Sequence, residues 1–211
     1  SRLLKRDKFM RTLATLLFHD FELLDVYGPL EMFGILKDEF DIHMVAETAE
    51  PVGGRSGPRT AIDALISDDK KYDMLLVPGG FGTEALLDNQ AVLTWVRQQS
   101  ETAELVTSVC TGSTLLSAAG VLDGKKATTN KMSFKWATSF GPNVDWQKQA
   151  RWVWDGKFVT SSGVSAGMDM ALAVIAELLD EKSAKKVAIA TEYNWHKDAT
   201  WDPFAKIHGL E

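Results

Sequence analysis

The sequence predicts an α/β fold: three layers, with a doubly wound, mostly parallel sheet covered by helices on both faces. Three observations predict it. Short apolar runs of strand length alternate with longer segments of helical spacing. Several of those runs lack polar alternation, as strands buried on both faces do. They also stop abruptly at turn-forming residues, most clearly at Pro78-Gly79-Gly80.

Residues 12–18 (TLATLLF) form the first such run, ending in the polar His19 and Asp20. A helix is expected next, opened by Gly28-Pro29 because proline suits an early helical position, with Leu30, Phe33 and Leu36 at helical spacing. Residues 40–45 (FDIHMV) alternate like a second strand, 62–66 form a short extra one, and 73–77 (DMLLV) a third buried one. A helical stretch over 90–99 precedes another strand at 105–109 (LVTSV), which runs straight into Cys110; residues 111–119 then read as a helix stopped at Gly120. Residues 151–154 and 157–160 flank Asp155-Gly156, a dipeptide that favours the tight turn of a β-hairpin. Residues 166–179 have the spacing of a long buried helix, and 183–193 of another.

The chain has 211 residues, 45% of them hydrophobic, which is enough to close one substantial core. Glycines and prolines are scattered, so residues 11–211 read as a single domain without a linker. The basic cluster Arg2, Lys5, Arg6 and Lys8 reads as an N-terminal extension or cloning remnant over residues 1–10, since no signal-like apolar stretch follows it. A net charge of −6 argues against a nucleic-acid partner. No apolar run approaches the roughly 20 residues that cross a bilayer, so no membrane partner is expected. One cysteine excludes an internal disulfide and a multi-cysteine zinc cage, and it favours a reducing, cytoplasmic setting. The four histidines, His19, His43, His196 and His208, include no ligand-spaced pair, so no metal site is expected.

In a doubly wound sheet, ligands bind beyond the carboxyl ends of the strands. Asp25, Gly79, Gly80, Cys110, Thr111 and Gly163 all fall at such ends. Cys110 stands between a β-branched strand and a helix, where first-turn N–H groups favour a thiolate and would lower its pKa below the ordinary thiol value. Position alone leaves an inert buried cysteine equally open. Gly79 and Gly80 would let backbone N–H groups stabilise an oxyanion, or form a plain turn. Asp25 lies in the apolar stretch LLDVYGP, so it must find donors or carry a proton; it either pairs with Cys110 as an acid or caps the first helix. Two facing anions would be unstable, so the protons of Asp25 and Cys110 should be coupled.

Four segments carry a resemblance: LLFHDFELLDVYGPLEMF at 16–33, LLVPGGFG at 75–82, VTSVCTGSTLLSAAGVLDGKKATTN at 106–130 and TSSGVSAGMDMAL at 160–172. Together they resemble the signatures of the ThiJ/PfpI superfamily, part of the class I glutamine-amidotransferase-like group with a flavodoxin-like sheet. Within it the chain looks most like isonitrile (isocyanide) hydratases and the sensor halves of AraC-type regulators. The resemblance implies Cys110 as nucleophile, Asp25 as its acidic partner, Thr111 as the polar neighbour, and Gly79 and Gly80 as oxyanion-type glycines. It implies a homodimer, a small-molecule substrate and no cofactor. Similar proteins often read ATTHW where this chain has ATTNK, so Asn130 replaces a histidine and joins Gly163 among the substrate-binding candidates.

The activity so implied is cofactor-free addition of water to a small carbon electrophile, most sharply an isonitrile. Alternatives are a glyoxalase- or deglycase-like activity, or a non-catalytic redox or ligand sensor acting through Cys110. Asn130 cannot act as a base, which weighs against proteolysis. The chain is too short after the family region to include a helix-turn-helix domain, which weighs against a complete regulator. His19, near Asp25, and His196, between Trp195 and Lys197, are the histidines that could reach the site, and neither receives a role. Six tryptophans, Trp136, Trp146, Trp152, Trp154, Trp195 and Trp201, crowd the last third and are expected in the core, at a subunit contact or along an apolar pocket.

Overall fold

A computed structural model describes residues 10–211 of the chain. The basic cluster at positions 2–8 lies outside the described residues. In chain order the elements are β1 (Arg11–Leu16), α1 (Leu23–Gly34), β2 (Phe40–Ala46), β3 (Val52–Gly53), β4 (Arg59–Thr60), β5 (Ala64–Leu65), β6 (Met74–Val77), α2 (Thr83–Leu86) and α3 (Gln90–Thr102). They continue with β7 (Leu105–Ser108), α4 (Gly112–Ala118), β8 (Lys126–Ala127), α5 (Phe134–Thr138), β9 (Asp145–Trp146), β10 (Trp152–Asp155), β11 (Phe158–Ser161), α6 (Ala166–Leu178), α7 (Glu181–Ala190) and α8 (Pro203–Ile207).

Seven strands form the main sheet in the order β10-β11-β7-β6-β1-β2-β5. Every neighbouring pair is parallel except β10 and β11, which form the expected antiparallel hairpin. Its turn carries Gly156 at φ 61°, the left-handed geometry such turns need. The strands are apolar on both faces because both are covered: Leu13, Leu75, Leu76, Leu105 and Val106 are fully buried. One helical group packs α1 on α6 and α6 on α7, while α3 packs on α4.

The chain proceeds outward from β1 to β2 and then returns to place β6 on the other side of β1. That reversal opens a crevice at the carboxyl ends of β1 and β6, where a doubly wound sheet takes its ligand.

The first helix differs from expectation. It begins at Leu23, so Pro29 lies inside it rather than at its start, and Glu22 is the residue at its N-cap. Pro29 has no N–H to give the Asp25 carbonyl, and burial of Val26, Leu30 and Phe33 against the core holds the helix in spite of that. The two-residue ladders β3–β4 and β8–β9 and the short helix α8 have no periodic signal in the sequence. Among the described residues no helix is long and apolar enough to cross a membrane.

Candidate active site

Cys110 follows β7 after one residue and precedes α4, and its backbone is left-handed at φ 58°. A non-glycine residue is uncommon there, and the strain is held by its surroundings: the Cys110 N–H donates to the Ser162 carbonyl at 3.1 Å, and Val109 N–H to Val77 O at 3.0 Å. The sharp turn lifts the thiol out of the sheet toward the crevice. A second strained residue faces it. Val164 has φ 47°, unusual for a β-branched side chain, and its N–H interacts with the Cys110 sulfur.

Asp25 sits in the first turn of α1, fully buried. Its Oδ2 accepts the Gly79 N–H at 2.9 Å, while Oδ1 has no hydrogen-bond partner. Burial therefore pushes this carboxyl up to about 7, against the lowering effect of the Gly79 N–H, and the charge of Glu22 adds to the rise. The helix-cap alternative fails, since Asp25 spends its accepted bond on another loop.

The Cys110 thiol is also pushed up, first by burial and then by the negative charge of Asp25. Donation from Thr111 N–H, the Asn130 amide and Val164 N–H opposes this without reversing it. The expectation of a thiol below its ordinary pKa is thus corrected. The short helix α4 cannot offset the loss of water around a residue that is only 6% exposed. Asp25 and Cys110 form a coupled pair in which a second negative charge is strongly opposed.

The oxyanion expectation for Gly79 and Gly80 is corrected too. Both N–H groups are already used, Gly79 by Asp25 and Gly80 by the Thr111 hydroxyl oxygen at 3.1 Å. These glycines instead permit close approach: a Cβ on Gly79 would fall 2.5 Å from both the N and Oγ1 of Thr111. Thr111 thereby ties the β6 turn to the elbow rather than standing free.

Asn130 donates from Nδ2 to the Cys110 sulfur at 3.1 Å, and its Oδ1 accepts the Ser133 N–H at 2.9 Å. The Ser133 bond fixes which end of the amide faces sulfur, because a backbone N–H needs an oxygen. Gly163 makes room for this, as a Cβ there would collide with Asn130 Nδ2.

A cavity of about 210 Å³ opens above the thiol, lined by Cys110, Thr111, Asn130 and Val164 below and by Phe81, Met132 and Trp136 toward the rim. Arg55 closes one side, paired with Glu22 at 2.9 Å and stacked 4.4 Å above the Phe81 ring. Of the six tryptophans, Trp136 alone lines this cavity. Phe81, Met132 and Arg55 were not legible as site residues: Phe81 lies in the LLVPGGFG segment, whose signal is its glycines, and Arg55 and Met132 sit in loops without a motif of their own. No histidine is in the lining: the His19 side chain is 83% exposed beside Asp20, and His196 packs on Trp201. No group of three acidic, histidine or cysteine side chains is placed to hold a metal among the described residues.

The DJ-1/PfpI family model matches residues 11–177. This chain belongs to the DJ-1/PfpI family. Among curated relatives it is 36% identical over 180 residues to an isonitrile hydratase of Pseudomonas putida, covering 84% of this chain and 76% of that one. It is 26% identical over 151 residues to the HTH-type transcriptional regulator CdhR of Pseudomonas aeruginosa, covering 72% of this chain and 44% of the regulator. Among solved structures, a ThiJ/PfpI family protein from Pseudomonas syringae superposes with a TM-score of 0.82 at 29% identity, covering 96% of this chain and 85% of that one. As in other DJ-1/PfpI proteins of known structure, the sheet is flavodoxin-like.

Proposed function

We propose that this DJ-1/PfpI protein is a cofactor-free hydratase that adds water to a small carbon electrophile, with isonitriles as the substrate class. The observation that carries the reading is the buried pair of Asp25 and Cys110 beneath a small cavity with no histidine in its lining. Such a site has one nucleophile and one acid whose pKa of about 7 lets it give and take a proton near neutrality. The similarity to an isonitrile hydratase over most of both chains supports the same reading.

In the proposed reaction, the proton of Cys110 passes to Asp25 as the sulfur bonds to the terminal carbon of R–N≡C. Asp25 then returns that proton to the same carbon, leaving a thioimidate, R–N=CH–S–Cys110. Water adds to this carbon, Asp25 taking one of its protons, and the carbon–sulfur bond breaks. The nitrogen and the departing thiolate take up the two protons, and the product is the formamide R–NH–CHO. Water addition expels no amine, so no imidazole is required. Asn130, donating to the sulfur, stabilises its anionic character as it attacks and as it departs.

A panel of isonitriles, methylglyoxal and unstructured peptides tests this. Formamide should form from isonitriles and no peptide should be cut; methylglyoxal consumption without isonitrile turnover would replace the assignment with a glyoxalase-like one.

A further inference from the structure

Beyond the residues that touch the sulfur, the geometry points to Lys131 as a positioning residue for Asn130. This rests on Cys110 being the working group of the site. Strand β8 ends at Ala127 and pairs only with the two residues of β9, so residues 128–131 leave it without a sheet to hold them. Hydrogen bonds that involve side chains hold them instead. Thr129 Oγ1 donates to the Cys110 carbonyl at 3.0 Å, Asn130 Nδ2 to the Cys110 sulfur at 3.1 Å, and Thr128 N–H to Thr160 Oγ1 at 2.9 Å.

Lys131 turns the other way and is only 3% exposed. Its ammonium donates to the Ala150 carbonyl at 2.6 Å, to Thr128 Oγ1 at 2.7 Å and to the Thr129 carbonyl at 3.4 Å. An ammonium has three N–H groups, and all three are engaged. Two of the acceptors lie in the loop that carries Asn130, and the third begins the segment leading into β10. The cation therefore closes the loop on itself and pins it across to a second element.

This is a costly way to fill core volume. Lys131 forms no ion pair within 4.0 Å among the described residues, and burial pulls its pKa down to about 8, with Asp202 opposing and Arg151 adding to the fall. An apolar side chain would pack there without losing water. What it would not do is donate three hydrogen bonds around Asn130. The neighbouring Arg151 is itself fixed, at 2.7 Å from Asp169 and 3.7 Å from Asp202, so the anchor for Ala150 is rigid.

The test uses the full chain and needs no substrate: the rate of Cys110 alkylation by iodoacetamide as a function of pH, with thermal midpoints alongside. Asn130→Ala should slow alkylation near neutrality about tenfold, the usual effect of losing a hydrogen bond to a charged group. Lys131→Met should slow it in the same direction, and the double variant should be no slower than Asn130→Ala alone, because both act through one contact. Lys131→Met with the wild-type profile, or effects that multiply in the double variant, would overturn the proposal. Should Lys131→Met not fold, Thr128→Val removes one of the three oxygens, and a wild-type profile in that variant would overturn it equally. Absence of isonitrile turnover in the wild type would strike the proposed function and leave this test standing.

Discussion

At the scale of single residues, the proposed chemistry turns on one proton shared between two buried groups. Asp25 raises the Cys110 thiol by its charge, so Asp25→Asn should move the alkylation profile of Cys110 to lower pH. The same variant should lose turnover, because an amide has no proton to exchange. Faster alkylation with slower catalysis separates a proton-transfer role from a packing role; unchanged values of both would remove Asp25 from the chemistry. Stability carries the same signature. The folded carboxyl titrates near 7, above its unfolded value of 3.8, so its proton-linked stability is fully present below that lower value and is lost as pH rises through about 7. The difference in unfolding free energy between wild type and Asp25→Asn should change by about 4 kcal/mol across that range, at 1.36 kcal/mol per unit. A difference independent of pH, measured by denaturant titration, would contradict the raised carboxyl. Both residues were legible from the LLDVYGP and SVCTGS segments, but the direction of the thiol shift was not. Sequence places a helix after Cys110 and says nothing of how little water reaches the sulfur.

At the scale of elements, the longer strands were the most readable part. β6 is an uninterrupted apolar run, β1 and β7 mix apolar residues with threonine and serine in runs of strand length, and Asp155-Gly156 marks the β10–β11 hairpin. The start of α1 was misplaced because Pro29 suits a first turn, yet tertiary burial of the preceding residues extends the helix backward past it. The loop at 128–131 was invisible as structure, since its order comes from its side chains bonding to Cys110 and Ala150 and from the Thr128 N–H donating to the Thr160 hydroxyl. Gly163 belongs to this scale, because it lets the loop after β11 meet the loop after β8. Gly163→Ala should displace Asn130 from the sulfur and reduce turnover about tenfold by loss of one charge-assisted bond, while the thermal midpoint falls only modestly. Wild-type turnover in Gly163→Ala would show that the Asn130 contact is dispensable.

At the scale of the whole molecule, the fold was legible because alternating strand and helix signals admit few arrangements, and the crevice at the β1–β6 reversal follows from strand order alone. The cavity rim was not legible, since Arg55, Phe81 and Met132 arrive from three separate loops. We propose a homodimer, on the family resemblance and on apolar side chains left exposed on α1, Leu24 at 38% and Tyr27 at 44%. Light scattering at micromolar concentration should give twice the mass of one chain; a monomer would contradict it.

The central claim is that Cys110 is the nucleophile of a hydration reaction, and the most direct test is formamide production from an isonitrile by the wild type and by Cys110→Ala. The substitution keeps the Cβ that the elbow already accommodates, so circular dichroism and thermal midpoint should stay close to wild type. The wild type should release formamide and accumulate no cleaved peptide in a parallel assay, and Cys110→Ala should release none. Formamide formation at the wild-type rate by folded Cys110→Ala would contradict the account.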